Sequence, residues 1–359
     1  MERETLSFMK VWLSVIASLC YCYAIGRKVP KGAKRLICFL PIICLFLFLP
    51  LNLSSPHLGG VTGFFIAWLA NFKLLLFAFG KGPLTSYLSF PLFIAVSCLP
   101  IKVQQNPSPK SHPNGDGREK SNQNGQNLNK EGPLNYALKG ILLAILVRIY
   151  DYSEYMHPKM ILLLYAFHIY FLLELILAIS ATLVRALLGL ELEPQFNEPY
   201  LATSLQDFWG KRWNLMVTSI LRPTVYEPTL KIASKIIGRK WAPLPAVFST
   251  FLVSAVMHEL IFYYLGRLRP NWEITWFFLI HGFCLTLEIA LKKAIAGKLR
   301  FPWVVSGPLT AAFVMSTGCW LFFPQFTRCK IDERAFEEYA ALGAFLKNFW
   351  PECLGISSV

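Results

Sequence analysis

The fold class that this chain predicts is all-α: a multi-pass bundle of transmembrane helices. Three observations predict it. Of the 359 residues, 55% are hydrophobic and only 16% charged, whereas a soluble domain carries about 25% charged residues. The apolar residues come in long unbroken runs rather than in alternation, and a bilayer admits only helices or closed barrels. Lysine and arginine gather at the ends of those runs.

Apolar stretches fall at 8–26, 36–54, 59–79, 84–101, 134–150, 158–184, 242–265, 272–291 and 302–323. The first keeps large residues to its end (CYCYAIG), so it reads as a retained anchor and not a cleaved signal. The 26–36 loop carries Arg27, Lys28, Lys31, Lys34 and Arg35, which places it in the cytosol and the N-terminus in the lumen. The 185–241 segment carries Arg185, Lys211, Arg212, Arg222, Lys231, Lys235, Arg239 and Lys240, and belongs on the same side. If every earlier stretch crossed, parity would put that segment in the lumen, so one fails to cross. The weakest is 84–101, interrupted by Pro91 and Pro100, which reads as re-entrant or interfacial. About eight spans remain, with a luminal C-terminus.

Two interruptions differ in kind. Residues 104–133 hold a single aliphatic side chain, Leu128, and no aromatic. That composition cannot offset its ordering entropy and predicts a disordered loop with a solvated His112. The 185–241 segment is rich in Trp, Phe, Tyr and Pro and should be ordered. Residues 332–350 (DERAFEEYAALGAFLKNFW) predict a short amphipathic helix on the bilayer. The C-terminal ISSV matches no retrieval tag or prenylation box. No internal repeat or inverted pair of broken helices appears, which argues against a secondary transporter. The whole chain reads as one membrane-embedded domain, 1–359.

The net charge of +14, from 35 Lys and Arg against 21 Asp and Glu, suits positive-inside topology and anionic lipid headgroups rather than nucleic acid. A basic cytosolic mouth would also attract a polyanionic cosubstrate such as coenzyme A. Nine cysteines occur without a CxxC pair, as expected of free thiols behaving as small hydrophobes.

The densest polar stretch is LATSLQDFWGKRWNLMV, 201–217. Thr203 or Ser204 can cap a helix, with Asp207 completing a capping box. On a continuous helix, Asp207, Lys211, Asn214 and Thr218 form a narrow polar stripe on a wide apolar belt that includes Trp209 and Trp213. Such a helix is usually embedded, its stripe facing a polar cavity. The alternative is an interfacial helix with aromatics at headgroup depth. Arg212 lies off the stripe and must snorkel or find an anion.

The second feature is SAVMHELIFYY, 254–264. His258 sits mid-run, and Thr250, Ser254 and His258 follow at i, i+4 and i+8 on one helical line. A histidine at membrane depth suggests function, and a neutral imidazole takes up a proton near pH 7. The alternative is a histidine that packs two helices together. A zinc-protease HExxH would need a histidine at 262, where Phe262 stands, and no GxSxG elbow or metal cluster occurs. His281 with Glu288, and His168 with Glu174, are weaker pairs that could orient a neighbouring catalytic group or only hydrogen-bond between helices, the second being the better reading. His57 and His157, beside prolines, read as solvated. Other Trp and Phe residues read as lipid-facing or interfacial.

The runs NEPYLATSLQDFWGKRWNLMVTSILRPTVYEP (197–228), SAVMHELIFYY, CYCYAI, KVPKGAKRL and LPIICLFLFLPLNLSS resemble the plant wax synthase group of membrane-bound O-acyltransferases, whose relatives include sterol acyltransferases. The likeness covers nearly all of the chain except the polar loop. Lys211 stands where such proteins often carry arginine. The resemblance implies a helical bundle enclosing a catalytic chamber, His258 as general base and Asn214 as active-site asparagine. Asp207, Trp209, Lys211, Arg212, Trp213 and Ser254 are expected to bind substrate. The implied cosubstrate is acyl-CoA with no cofactor, the acceptor a long-chain fatty alcohol or a sterol, and the site of residence the endoplasmic reticulum. The competing class is a non-enzymatic lipid or ion transporter using the same polar residues. It would place ionisable groups on broken helices near the midplane, whereas this chain concentrates them in one motif and one histidine.

Overall fold

The computed structural model describes residues 2–100, 133–189, 195–295 and 302–353. The polar loop expected at 104–133 lies, apart from Pro133, outside them. Among the described residues every regular element is helical.

Helix α1 (Glu2–Lys28) leads through the basic loop into α2 (Ala33–Phe48). A third long helix, α3 (Pro56–Ala78), contains a π-helical stretch at Gly63–Ala70. The short α4 (Phe90–Cys98) follows, then α5 (Pro133–Ile149) and α6 (Pro158–Leu188). Within the motif segment lie α7 (Leu215–Leu221) and α8 (Glu227–Ile236). The bundle closes with α9 (Pro243–Gly266), α10 (Glu273–Ala294), α11 (Trp303–Thr317) and the C-terminal α12 (Ile331–Cys353).

Seven helices among the described residues are long and apolar enough to cross a membrane: Arg3–Lys28, Ala33–Asn52, Pro56–Ala78, Pro158–Leu187, Gly238–Gly266, Glu273–Ala294 and Trp303–Arg328. The expected count was about eight. The difference is α5, whose 17 residues give about 25 Å of α-helix, just short of a hydrocarbon core of about 30 Å. The stretch at 84–101 forms only the nine-residue α4, too short to cross. Lys73, fully buried in α3, holds α4 in place by donating to the carbonyls of Val96 at 2.6 Å and Leu99 at 2.7 Å. A cation at the carbonyl end of a helix is where both its charge and its donors are satisfied.

Contacts between loops fix which ends of the helices lie together. At one end, Gly32 N donates to Ala78 O, Ser86 Oγ to Gly26 O and Lys293 Nζ to Lys240 O. This basic end therefore gathers the 26–36 loop and the segment around Lys240. At the opposite end the Glu4 carboxylate accepts from Ser54 and Ser55, and Arg267 Nη2 donates to the carbonyls of Pro50, Leu51 and Leu53. Arg334 at the start of α12 joins the same end through Ser54 O.

Packing between α9 and α10 is close because Gly282 lacks a side chain. A Cβ there would lie 2.8 Å from Phe251 Cβ. Phe251 and Phe278 in turn wall the cavity described next.

Candidate active site

The motif stretch does not form the continuous helix that the sequence suggests. Ser204 caps a short turn at Leu205–Asp207, its hydroxyl accepting from Asp207 N at 3.1 Å, while Asp207 accepts from Thr203 N at 3.3 Å. A π-turn over Phe208–Arg212 follows, Trp213 is extended, and Asn214 adopts the left-handed conformation with φ 40° and ψ 66°. Only then does α7 begin, with Asn214 Oδ1 accepting from Val217 N at 3.3 Å. The stripe of Asp207, Lys211, Asn214 and Thr218 is therefore broken. A left-handed residue costs little for asparagine, whose side chain here also caps the helix it starts.

The break sorts the expected binding residues. Trp209, Trp213, Asn214, Ser254 and His258 line one cavity of about 1190 Å³, and Asp207, Lys211 and Arg212 do not. Lys211 is exposed. Asp207 and Arg212 face each other, Nε to Oδ2 at 2.7 Å, and Arg212 Nη1 also reaches the carbonyls of Asn197 and Glu198. Arg212 finds its anion five residues back, and the pair braces the turn from behind the cavity wall.

His258 is part-buried on α9 and faces the same cavity. Its Nδ1 donates to Ser254 O, one turn earlier, at 2.8 Å. That contact assigns the proton of the neutral ring to Nδ1 and leaves a lone pair on Nε2, which has no hydrogen-bond partner among the described residues. Thr250 and Ser254 line the cavity too, so the polar line on this helix does face it. Glu259 is occupied elsewhere, accepting from Thr275 N and Oγ1 in the first turn of α10.

Aromatic rings enclose the imidazole. Trp68 meets it edge-on at 5.0 Å between centroids, and Phe278 lies at 4.3 Å. Trp68 is 1% exposed, which corrects its reading as a lipid-facing aromatic. It lies within the π-helical stretch of α3, a deviation frequent at functional sites. Nothing in the spacing of 59–79 distinguishes this tryptophan from its neighbours.

Both weaker residues of α10 grip the motif turn. His281 is fully buried, with Nδ1 accepting from Trp209 Nε1 at 3.1 Å and Nε2 donating to Thr317 Oγ1 at 2.8 Å. Glu288 accepts from Leu205 N at 2.9 Å and pairs with Lys292 at 2.6 Å. Their seven-residue spacing does put them on one face, and that face is turned to residues 205–209.

The cavity lining reaches from Arg222 and Tyr226 at the basic end to His57 and Asp332 at the other. There α12 closes over it. His57 Nδ1 meets Glu338, His57 Nε2 meets Tyr339 Oη at 2.9 Å, and His168 Nε2 meets the same oxygen at 2.9 Å. His57 is thus tied to the C-terminal helix rather than solvated, and His168 serves inter-helix bonding. Its companion Glu174 pairs with Lys139 of α5 at 2.6 Å. His157 is exposed and caps α6, accepting from Lys159 N. Cys20, Cys22, Cys38, Cys44, Cys98, Cys284, Cys319 and Cys329 are free thiols.

A bundle of membrane-crossing helices, with an imidazole and an asparagine lining one apolar chamber, defines an integral membrane protein with an internal cavity. The chain belongs to the membrane bound O-acyl transferase family, whose profile matches residues 192–280, a span holding both Asn214 and His258. It is 56% identical over 342 residues to Acyl-CoA--sterol O-acyltransferase 1 of Arabidopsis thaliana, covering 94% of this chain and 96% of that protein. It is 46% identical over 343 residues to the long-chain-alcohol O-fatty-acyltransferase of Simmondsia chinensis, covering 95% of each. Against the probable long-chain-alcohol O-fatty-acyltransferase 3 of Arabidopsis thaliana, identity is 41% over 351 residues, 97% of each. The chain is an acyltransferase, and the transporter alternative falls away.

Proposed function

We propose that this enzyme transfers a fatty acyl group from acyl-CoA to a long-chain fatty alcohol, forming a wax ester in the endoplasmic reticulum membrane, with its basic end in the cytosol. The observation that carries the reading is that Asn214 and His258, whose Nδ1 is engaged and whose Nε2 has no partner among the described residues, line one apolar cavity.

The alcohol loses its proton to His258 Nε2 as its oxygen attacks the thioester carbonyl carbon. The carbon–sulfur bond breaks, and coenzyme A leaves as thiolate and then collects the proton from the imidazolium. An aliphatic alcohol is too weak an acid to attack unaided, and a positioned base contributes roughly 10²–10⁴-fold. A thiol of pKa about 8.5 leaves without a strong acid partner. The Asn214 amide donates to the oxyanion, a contact worth about 3–4 kcal/mol in comparable sites. No residue need be acylated.

A sterol acceptor is the second reading, favoured by the 56% identity to a protein named as a sterol acyltransferase. The test supplies microsomes from a host lacking ester synthesis with labelled acyl-CoA and either a fatty alcohol or a sterol. Wax ester as the dominant product supports the first reading. Steryl ester alone replaces it with the second, and no consumption of acyl-CoA with either refutes both.

A further inference from the structure

Beyond the residues that face the cavity, one buried chain of hydrogen bonds leads to the turn that presents Asn214. Trp209 Nε1 donates to His281 Nδ1, His281 Nε2 donates to Thr317 Oγ1, and Thr317 Oγ1 donates to Phe313 O at 2.7 Å. The indole N–H can only donate, which makes Nδ1 the acceptor and puts the proton of a neutral His281 on Nε2. With both nitrogens engaged and no exposure, this histidine cannot take a substrate proton.

Trp209 is the joint between that chain and the reacting end of the cavity. Its indole packs on Phe251 at 5.5 Å and on Phe278 at 6.1 Å, the ring that also covers His258. Its carbonyl accepts from Thr218 Oγ1 of α7 at 3.4 Å. The neighbouring Phe208 stacks on Trp213, the residue before Asn214, at 5.5 Å and 16°. The π-turn is thus held at its indole by α10 and at its backbone by α7, and Asn214 stands at the end of it.

We infer that His281 is a positioning residue: by holding the Trp209 indole it sets the turn that aims the Asn214 amide at the reacting carbonyl. The inference rests on the proposed role of Asn214. An inert buried hydrogen bond would matter for stability alone. A positioning bond matters for kcat, because a displacement of about 1 Å at a reacting group can cost on the order of 100-fold.

The experiment measures kcat and KM for acyl-CoA in microsomes, normalised to enzyme level, for His281→Asn, His281→Gln, Trp209→Phe, Asn214→Ala and the double variant Trp209→Phe with His281→Gln. An asparagine oxygen stands where Nδ1 stands and still accepts from Trp209. A glutamine amide reaches only the Nε2 position and preserves the Thr317 contact alone. Expected are losses in kcat of roughly 10- to 100-fold for His281→Gln and Trp209→Phe, KM nearly unchanged, substantial rescue in His281→Asn, and a double variant no worse than either single one. Multiplying losses, a change confined to KM, or an asparagine variant as poor as the glutamine variant would overturn the positioning role while Asn214→Ala stays impaired. Normal turnover in Asn214→Ala would overturn the underlying reading and the inference with it.

Discussion

Arg212 Nε lies 2.7 Å from Asp207 Oδ2, with each side chain about four-fifths buried. The pair closes a π-turn on itself, and Arg212 adds two carbonyls of the preceding loop. Removing Arg212 leaves a part-buried carboxylate and two carbonyls without a cation. Hydrogen bonds to charged groups are worth about 1.5–3 kcal/mol each, less where solvent screens them. Arg212→Ala should lower the thermal midpoint of the detergent-solubilised enzyme and reduce activity in parallel. Lys211→Ala, one residue away and exposed, should change neither by more than the roughly 0.5 kcal/mol typical of surface sites. A sensitive Lys211 with an indifferent Arg212 would mean that substrate, not the fold, uses these charges.

His258→Ala should abolish ester formation while the protein still accumulates in the membrane. The imidazole edge faces a cavity, so its loss opens no new void inside packed helices. Labelled acyl-CoA transfer per unit of enzyme should fall by roughly 10²–10⁴-fold. Retained turnover would move the base elsewhere.

At Asn214 the backbone and the side chain can be separated. Its φ of 40° suits glycine and asparagine and strains alanine. Asn214→Gly keeps the turn and loses the amide, and Asn214→Ala loses both. Activity should be low in each, but the glycine variant should unfold at a temperature nearer to that of the parent. An active glycine variant would show that the turn matters and the amide does not.

Tyr339 carries one hydroxyl between two histidines. Burial, with Glu338 beside it, pushes its phenol up to about 12, so it stays neutral and supplies a single proton at physiological pH. With His57 Nδ1 donating to Glu338, Tyr339 donates to His57 Nε2 and accepts from His168 Nε2. Tyr339→Phe removes both bonds and should destabilise the docking of α12 by about 1–2 kcal/mol. Limited proteolysis should cut the C-terminal helix faster in this variant, and an unchanged cleavage rate would show that Phe336, which packs on Tyr150 at 4.8 Å between centroids, holds the helix unaided.

Apolar runs and the Lys and Arg that end them made most long helices legible in the sequence, and two proline-interrupted turns explained why 84–101 does not cross. The motif named the right cavity residues on α9 because Thr250, Ser254 and His258 share a regular helix. It put Asp207 and Lys211 on a cavity-facing stripe that assumed 100° per residue across a stretch that bends at Trp213 and Asn214, and both lie outside the cavity lining. A π-turn changes that angle without leaving a periodic mark. Trp68 and the His57–Tyr339 contact were invisible for another reason: each depends on residues far apart in the chain that only packing brings together.

The carbonyl that holds His258 has a consequence for the proton it takes up. The Nδ1 proton is given to Ser254 O, a neutral acceptor, and the adjacent carboxylate of Glu259 is spent on α10. An imidazolium formed here gains no ion pair among the described residues. On the proposed chemistry, the forward step tolerates this because a thiolate departs and collects the proton. The reverse step would expel an alkoxide, which needs that proton already transferred as it leaves. Both directions pass through the same unpaired imidazolium, so this arrangement sets the speed of transfer, and its net direction follows from the thioester being the less stable acyl donor.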